Sequence, residues 1–452
     1  MFKNIDFRTG RPLKDLILFA IPLALGQFLQ ILYNTVDSLV VGNFCGDAEL
    51  AAVGVCATSS NVIIGFFTGL SIGAGVVVAK NFGMGDFQRL KDSIQAITTF
   101  GVLLGILTIG IGLVFAKPLL DVSGARPDYY DKAYTYLMIC MGGVVFTCSY
   151  NISAGIIRAI GNSAATLKIL AISGVVNVCL DLLFTGAFGW GVAGVAIATV
   201  IAQAVSMFCG IIFLHRYLKA PSISITTMWK KGAKSIKESL SVGVAAGIQV
   251  SVVAFSNTFI FRYVNMFDTT AVSGFGIGSK LDSYISIPLD SFGAAVTTGV
   301  GQNIGAGKYE RIKPIIYDVL ILETASCMIF GSLMLIFAKQ LVGMFSSNPD
   351  VISAGTAMLR ILIPLYWTNA GRCTFAGALR AYGKTVWPSV SALLSMVVVR
   401  QIFLAIVMTN PKIDYVFWCY PVGWIASSLF IMIYFALVRK ELKGLGAPIA
   451  EV

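Results

Sequence analysis

Asn81–Lys91 reads NFGMGDFQRLK, and Asn303–Lys313 reads NIGAGKYERIK. Five positions coincide: Asn81/Asn303, Gly83/Gly305, Gly85/Gly307, Arg89/Arg311 and Lys91/Lys313, every pair 222 residues apart. The same shift carries GIIRAIG at Gly155 onto GALRAYG at Gly377, and FAK at Phe115 onto FAK at Phe337. One ungapped offset that relates three separate regions marks an internal duplication. Whatever the fold is, the chain builds it twice.

What it builds is a set of membrane helices. The chain is 57% hydrophobic and only 12% charged, whereas soluble domains are about 25% charged. Twelve apolar runs fall at 16–41, 50–79, 93–116, 133–157, 164–188, 190–214, 239–264, 270–300, 314–338, 351–379, 385–408 and 414–438. Each is long enough to cross a hydrocarbon core of ~30 Å as a helix. Leu, Ile, Ala and Gly dominate and period-2 alternation is scarce, which argues against an outer-membrane barrel. Six runs separate equivalent points, so the repeats share one orientation. An axis along the membrane normal should relate them, with a cavity between. The expectation is an all-α polytopic membrane protein, twelve transmembrane helices in two six-helix lobes. The lobes are placed at 1–214 and 239–452, with a basic cytoplasmic linker at 215–238.

A net charge of +11 in a soluble chain would point to nucleic acid. Here the charge is spread over short connecting segments. With the amino terminus inside, 24 of the 33 Lys and Arg belong to inside segments and 6 to outside loops, while Lys280, Arg360 and Arg400 lie within helices. That asymmetry follows the positive-inside rule and puts both termini in the cytoplasm. No nucleic-acid partner is expected. Lys3, Arg8, Arg11 and Lys14 before an apolar run resemble a signal peptide, but the run is too long and holds Pro22, Gln27, Asn34 and Asp37. The nine cysteines form no CxxC pair and read as small apolar fillers. His215 is the one histidine, so no His-rich metal cluster can form.

Against this apolar background the polar residues stand out. Asn177 and Asp181 are four apart and share a face of the fifth helix; Asn34 and Asp37 are three apart and share a face of the first. A carboxylate at the centre of a membrane helix costs roughly 2.5–3.5 kcal/mol on insertion scales. Asp37 and Asp181 are both placed in the outer half of the membrane, and Thr199 reaches a similar depth from the sixth helix. These hard oxygen donors could hold Na⁺ or share protons, because two nearby acids in low dielectric cannot easily both stay charged. The alternative is that each acid only bonds a neighbouring helix. The repeat favours function: the 222-residue shift takes Asp37 to Phe259, Asn177 to Val399, Asp181 to Phe403 and Thr199 to Pro421. The common fold therefore does not need this set.

IPLALGQFLQILYNTVDSLVVG in the first helix, the NFGMGD and NIGAGK loops, GIIRAIGN and VNVCLDLLF resemble the multidrug and toxic compound extrusion (MATE) family across nearly the whole chain. The resemblance implies a twelve-helix, two-lobe transporter that exports cationic or amphipathic compounds against inward Na⁺ or H⁺. It implies a cation site at Asp37, Asn177, Asp181 and Thr199, to which Asn34 is added, and a bend at Pro22. The branch named after NorM carries a glutamate in the seventh helix, but GVAAGIQVSVVAFSNTFI has no acid. The chain is thus similar rather to the DinF-like branch.

The eighth helix, SKLDSYISIPLDSFG, lines Asp282, Ser286 and Asp290 on one side. These residues, with Gln27 on the first helix, are expected to meet small organic cations. An internal salt bridge from Lys280 to Asp282 is the alternative. Glu323 in the ninth helix is open between roles, and Arg158 and Arg380 are expected to snorkel toward the cytoplasmic face. GFGIG at Gly274 reads as close helix packing. GQNIGAGKY at Gly301 misses the phosphate-loop pattern, because Tyr309 stands where Ser or Thr is required. No nucleophile–base set supports an enzyme, and no cofactor is expected. A flippase for a lipid-linked precursor is the second reading, but it would want a strongly basic cavity. The expected protein is a monomeric, bacterial, multi-pass transporter of the plasma membrane.

Overall fold

The computed structural model describes residues 4–122, 127 and 129–444; the outermost terminal residues, whose cytoplasmic placement was expected, lie outside them. Among the described residues the chain is helical and holds no strand. Nine helices among the described residues are long and apolar enough to cross a membrane, and two bent helix pairs qualify as further crossings. The remaining long helix, Thr269–Gly305, carries Lys280, Asp282 and Asp290, which dilute its hydropathy. The twelve crossings are α1 Pro12–Phe44, α2 Asp47–Met84, α3 Phe87–Val122, α4 Tyr130–Gly142 with Val144–Ala159, α5 Ser163–Asp181 and α6 Gly191–Leu218. Then follow α7 Ala233–Val264, α8 Thr269–Gly305, α9 Ile312–Ile336, α10 Pro349–Leu362 with Thr368–Ala381, α11 Val386–Val407 and α12 Ile413–Gly444. At ~1.5 Å per residue, the 37 residues of α8 reach about 55 Å, beyond the hydrocarbon core.

The duplication is visible in the backbone. The fourth helix of each repeat is bent, by 49° at Gly142–Gly143 in α4 and by 56° in α10, where the break holds Pro364 and a short 3₁₀ turn at Ile363–Leu365. Gly85 and Gly307 have φ of 75° and 68°, and Gly161 and Gly383 have φ of 87° and 81°. These are the glycines retained in the repeated loops. A side chain in the left-handed region costs about 1–2 kcal/mol, so helix-ending turns there favour glycine.

The helices group into two compact units. One comprises Met1–Ile5 with Leu25–Gly247, and the other Asp6–Ala24 with Ile248–Val452. Both α1 and α7 therefore change unit part-way along, at Leu25 and at Ile248. In the first unit, Gly69 and Gly73 let α2 lie directly on α7: a Cβ on Gly69 would stand 2.0 Å from the Gly247 nitrogen, and one on Gly73 2.2 Å from the Ser239 carbonyl. The linker is tied down there. Gln95 donates to the Pro221 carbonyl at 2.5 Å, and the Ser224 amide donates to Thr99 Oγ1 at 2.8 Å. In the second unit, the opening segment is held by α8 and the loop after it. The Phe7 amide donates to Gln302 Oε1 at 3.1 Å, and Arg311 donates to the carbonyls of Phe7, Thr9 and Gly10. Arg311 is one of the repeated residues, which gives that loop motif a structural task. Gly274 and Gly278 pack against Ala354 and Met358 of α10, the close packing expected of GFGIG.

Candidate functional site

In the first unit α5 presents Asn177, Asp181 and Thr185 four residues apart, at 2%, 0% and 3% exposure. Immediately after Asp181 the helix widens into a π turn, Leu182–Ala187, a distortion frequent at functional sites. The chain reverses through 188–190 into α6, so the two helices run antiparallel. A Cβ on Gly194 would stand 3.0 Å from Thr185 Oγ1, which fixes the pairing. Helices rising equally in opposite directions then bring Thr199 to about the level of Asp181, and Gln203 to about the level of Asn177.

Asn177 donates from Nδ2 to Asp181 Oδ2 at 3.1 Å. The carboxyls of Asp37 and Asp181 lie within hydrogen-bonding reach of each other. Two ionised carboxylates at about 4 Å repel by about 4 kcal/mol at an effective dielectric of about 20, so this contact needs a proton or a cation. Five buried oxygens here have no hydrogen-bond partner: Asp37 Oδ1, Asp181 Oδ1, Thr185 Oγ1, Thr199 Oγ1 and Gln203 Oε1. Bare buried acceptors are uncommon in folded proteins; two of these belong to the carboxyl pair itself, and those of Thr199 and Gln203 lie at about its level on α6. Among the described residues there is no cluster of three or more His, Cys, Asp or Glu.

The structure thus brings together Asp37, Asn177 and Asp181, and places Thr199 at their level. It adds Thr185 and Gln203, which the sequence reading passed over although the spacings 177/181/185 and 199/203 were available. Asn34 is exposed on α1, and Gln27 and Pro22 are partly buried on the same helix; among the described residues no hydrogen bond joins Asn34 or Gln27 to the two acids.

The second unit holds the other expected residues. Asp282 is partly buried and Asp290 exposed on α8. Tyr366 donates its hydroxyl to the Asp282 carbonyl at 3.4 Å, and Ser286 turns back to the Ser283 carbonyl at 2.8 Å. Among the described residues no ion pair joins Lys280 to Asp282. The arginines depart from expectation. Arg158 donates to Ser71 Oγ at 3.1 Å and Arg380 to Gln249 Oε1 at 2.9 Å, so both turn into the protein where snorkelling was expected; a neutral acceptor on a neighbouring helix outcompetes the distant headgroups. Arg372, within the run read at 351–379, lies inside α10 and donates to Asn369 Oδ1 at 2.5 Å. Arg400 is 1% exposed, donates to Asn257 Oδ1 at 3.2 Å and stacks on Tyr420 at 4.3 Å.

A duplicated bundle of membrane-crossing helices with acids buried inside it is an architecture of membrane transporters. The chain belongs to the MatE family, whose profile matches residues 22–183 and again 245–406. The two matches start 223 residues apart, within one residue of the offset read from the loops. The chain is similar to "Probable multidrug resistance protein YpnP" of Bacillus subtilis, 32% identical over 408 residues, 89% of this chain and 90% of that protein. It is 20% identical to "Multidrug export protein MepA" of Staphylococcus aureus over 436 residues, 96% of each. Among solved structures, "Crystal structure of MATE in the straight conformation" superposes with a TM-score of 0.90 at 19% identity, covering 98% of this chain and 100% of that one. A MOP superfamily transporter from Pyrococcus furiosus, described as having a binding pocket of reverse polarity, gives 0.90 at 18% identity over 98% and 99%. The fold and the family are thereby shown.

Proposed function

We propose that the protein is a cation-coupled antiporter of the plasma membrane, with both termini in the cytoplasm, exporting cationic or amphipathic compounds. One observation carries this reading: Asp37 and Asp181 meet inside the first unit while one oxygen of each stays bare. Such a pair gains stability when it takes up H⁺ or Na⁺. If the ion binds one conformation better than the other, it shifts the population by that difference and no more. Entry of the ion from outside then favours the state that has released its substrate, and ion exit favours the state that accepts substrate. Asp37, Asn177, Asp181 and Thr199 hold the ion, with Asn34 nearby on α1. Asp282, Ser286, Asp290 and Gln27 meet the substrate, and Pro22 is the hinge. Pro22 is suited to that role because α1 passes from one unit to the other three residues later and a proline breaks the hydrogen-bond ladder of its helix.

Substrate efflux from proteoliposomes under separately imposed Na⁺ and pH gradients tests the reading and identifies the ion. Efflux driven by neither gradient would overturn it. Export of a lipid-linked precursor is the second reading, favoured by the inward-turned Arg372, Arg380 and Arg400. It stays second because these arginines stand among the acids Asp282, Asp290 and Glu323, which is not the strongly basic cavity a pyrophosphate would want.

A further inference from the structure

The most deeply placed acid outside the Asp37–Asp181 pair is Glu323 on α9, at 0% exposure. Thr374, on the second segment of α10, donates to its Oε2 at 2.6 Å, and Oε1 has no partner. The groups facing it are Asp290 from α8, Arg372 and Cys373 from α10, and Cys327 from its own helix. Arg372 is turned to Asn369 and Cys373, and among the described residues it makes no ion pair with Glu323. One neutral hydrogen bond is poor compensation for a buried negative charge.

The repeat shows that the fold has no need of this acid. Shifted by 222, Glu323 falls on Gly101 and Thr374 on Ile152. Those two positions also meet in the first unit: a Cβ on Gly101 would stand 2.5 Å from Ile152 Cδ1. The same junction of third and fourth helices is filled by glycine and isoleucine in one repeat and by an acid and its hydroxyl partner in the other. Asp37 and Asp181 show the converse, with Phe259 and Phe403 as their counterparts. Each repeat therefore carries one acid constellation at a place its twin fills with apolar atoms.

We propose that Glu323 is a second proton-exchanging site, which holds its proton beside Thr374 and releases it when a cationic ligand neutralises Asp290. The coupling is electrostatic. Arg372 and Arg380 also act on Asp290 and offset part of its charge; what remains opposes a second negative charge at Glu323, a cation at Asp290 removes that opposition, and the proton leaves to water on the Asp290 side. Ionisable residues on membrane helices face the bundle interior or a water-filled cavity, so the path to water is placed on the Asp290 side. A metal ion fits less well, because the Arg372 guanidinium repels it and a single bare oxygen offers no coordination shell. Only the identity of the ligand at Asp290 rests on the antiporter reading.

Infrared difference spectra of the full-length protein in lipid vesicles, recorded across pH steps, test the proposal directly. The wild type should show a carboxylic-acid C=O component that is absent in Glu323→Gln and retained in Asp181→Asn. The double variant E323G/T374I copies the Gly101–Ile152 pairing, so it should fold and lack the same component. Asp290→Asn should move the pH at which that component appears, and so should saturating tetraphenylphosphonium in the wild type. Spectra of Glu323→Gln and E323G/T374I that match the wild type would overturn the proton site. An unmoved midpoint in Asp290→Asn would overturn its link to the ligand. Gradient-driven efflux lost in Asp181→Asn while the Glu323 component persists keeps the two sites' tests separate.

Discussion

In the proposed cation site Gln203 and Asp181 contribute in different ways. Removing a charge from the pair abolishes what the ion acts on: Asp37→Asn and Asp181→Asn should each eliminate gradient-driven efflux in proteoliposomes, with expression unchanged. Phe259→Leu and Phe403→Leu, at the repeat-related positions, should retain most of it. Gln203→Leu removes only one oxygen. A hydrogen bond to a charged group contributes about 1.5–3 kcal/mol, so the ion concentration for half-maximal efflux should rise at least tenfold while the maximal rate persists. Unchanged ion dependence would place Gln203 outside the shell. This contrast also explains what was legible in the sequence. Asp37 and Asp181 were conspicuous because charge is rare in apolar runs, and the repeat marked them as dispensable to the fold. Thr185 and Gln203 were not, because neutral polar residues are common in membrane helices: Thr185 lies one turn beyond Asp181 on the same helix, and Gln203 reaches the level of Asn177 only through the antiparallel pairing of α6.

At the scale of elements, the twelve crossings were readable from apolar length, and the loop glycines from the repeat. The bends in α4 and α10 were not read, since Gly142–Gly143 and Pro364 sit inside apolar runs that look continuous. Two glycines separate strain from crowding. At Gly307, with φ 68° and nothing within 4 Å of a Cβ, alanine should cost only the left-handed strain, about 1–2 kcal/mol. At Gly161, with φ 87°, a Cβ would also stand 2.0 Å from the Ile5 carbonyl oxygen, whose own amide donates to the Gly161 carbonyl at 2.9 Å. Gly161→Ala should therefore lower the unfolding temperature clearly more than Gly307→Ala, measured on purified protein by thermal scanning fluorimetry.

Over the whole molecule, the exchange of opening segments was invisible to sequence reading, because it depends on which helices a segment packs against and not on its composition. Asp6–Ala24 packs with residues from the far half of the chain, while the linker and the start of α7 pack with the near half. Cleaving the chain within 225–231 should leave efflux measurable when both fragments are co-expressed, and neither fragment should accumulate in the membrane alone. A lobe of this protein is consequently not a stretch of gene. Truncations, fusions and domain swaps designed around the linker would separate two reading frames, yet each product would carry a piece of the other's scaffold and lack a piece of its own.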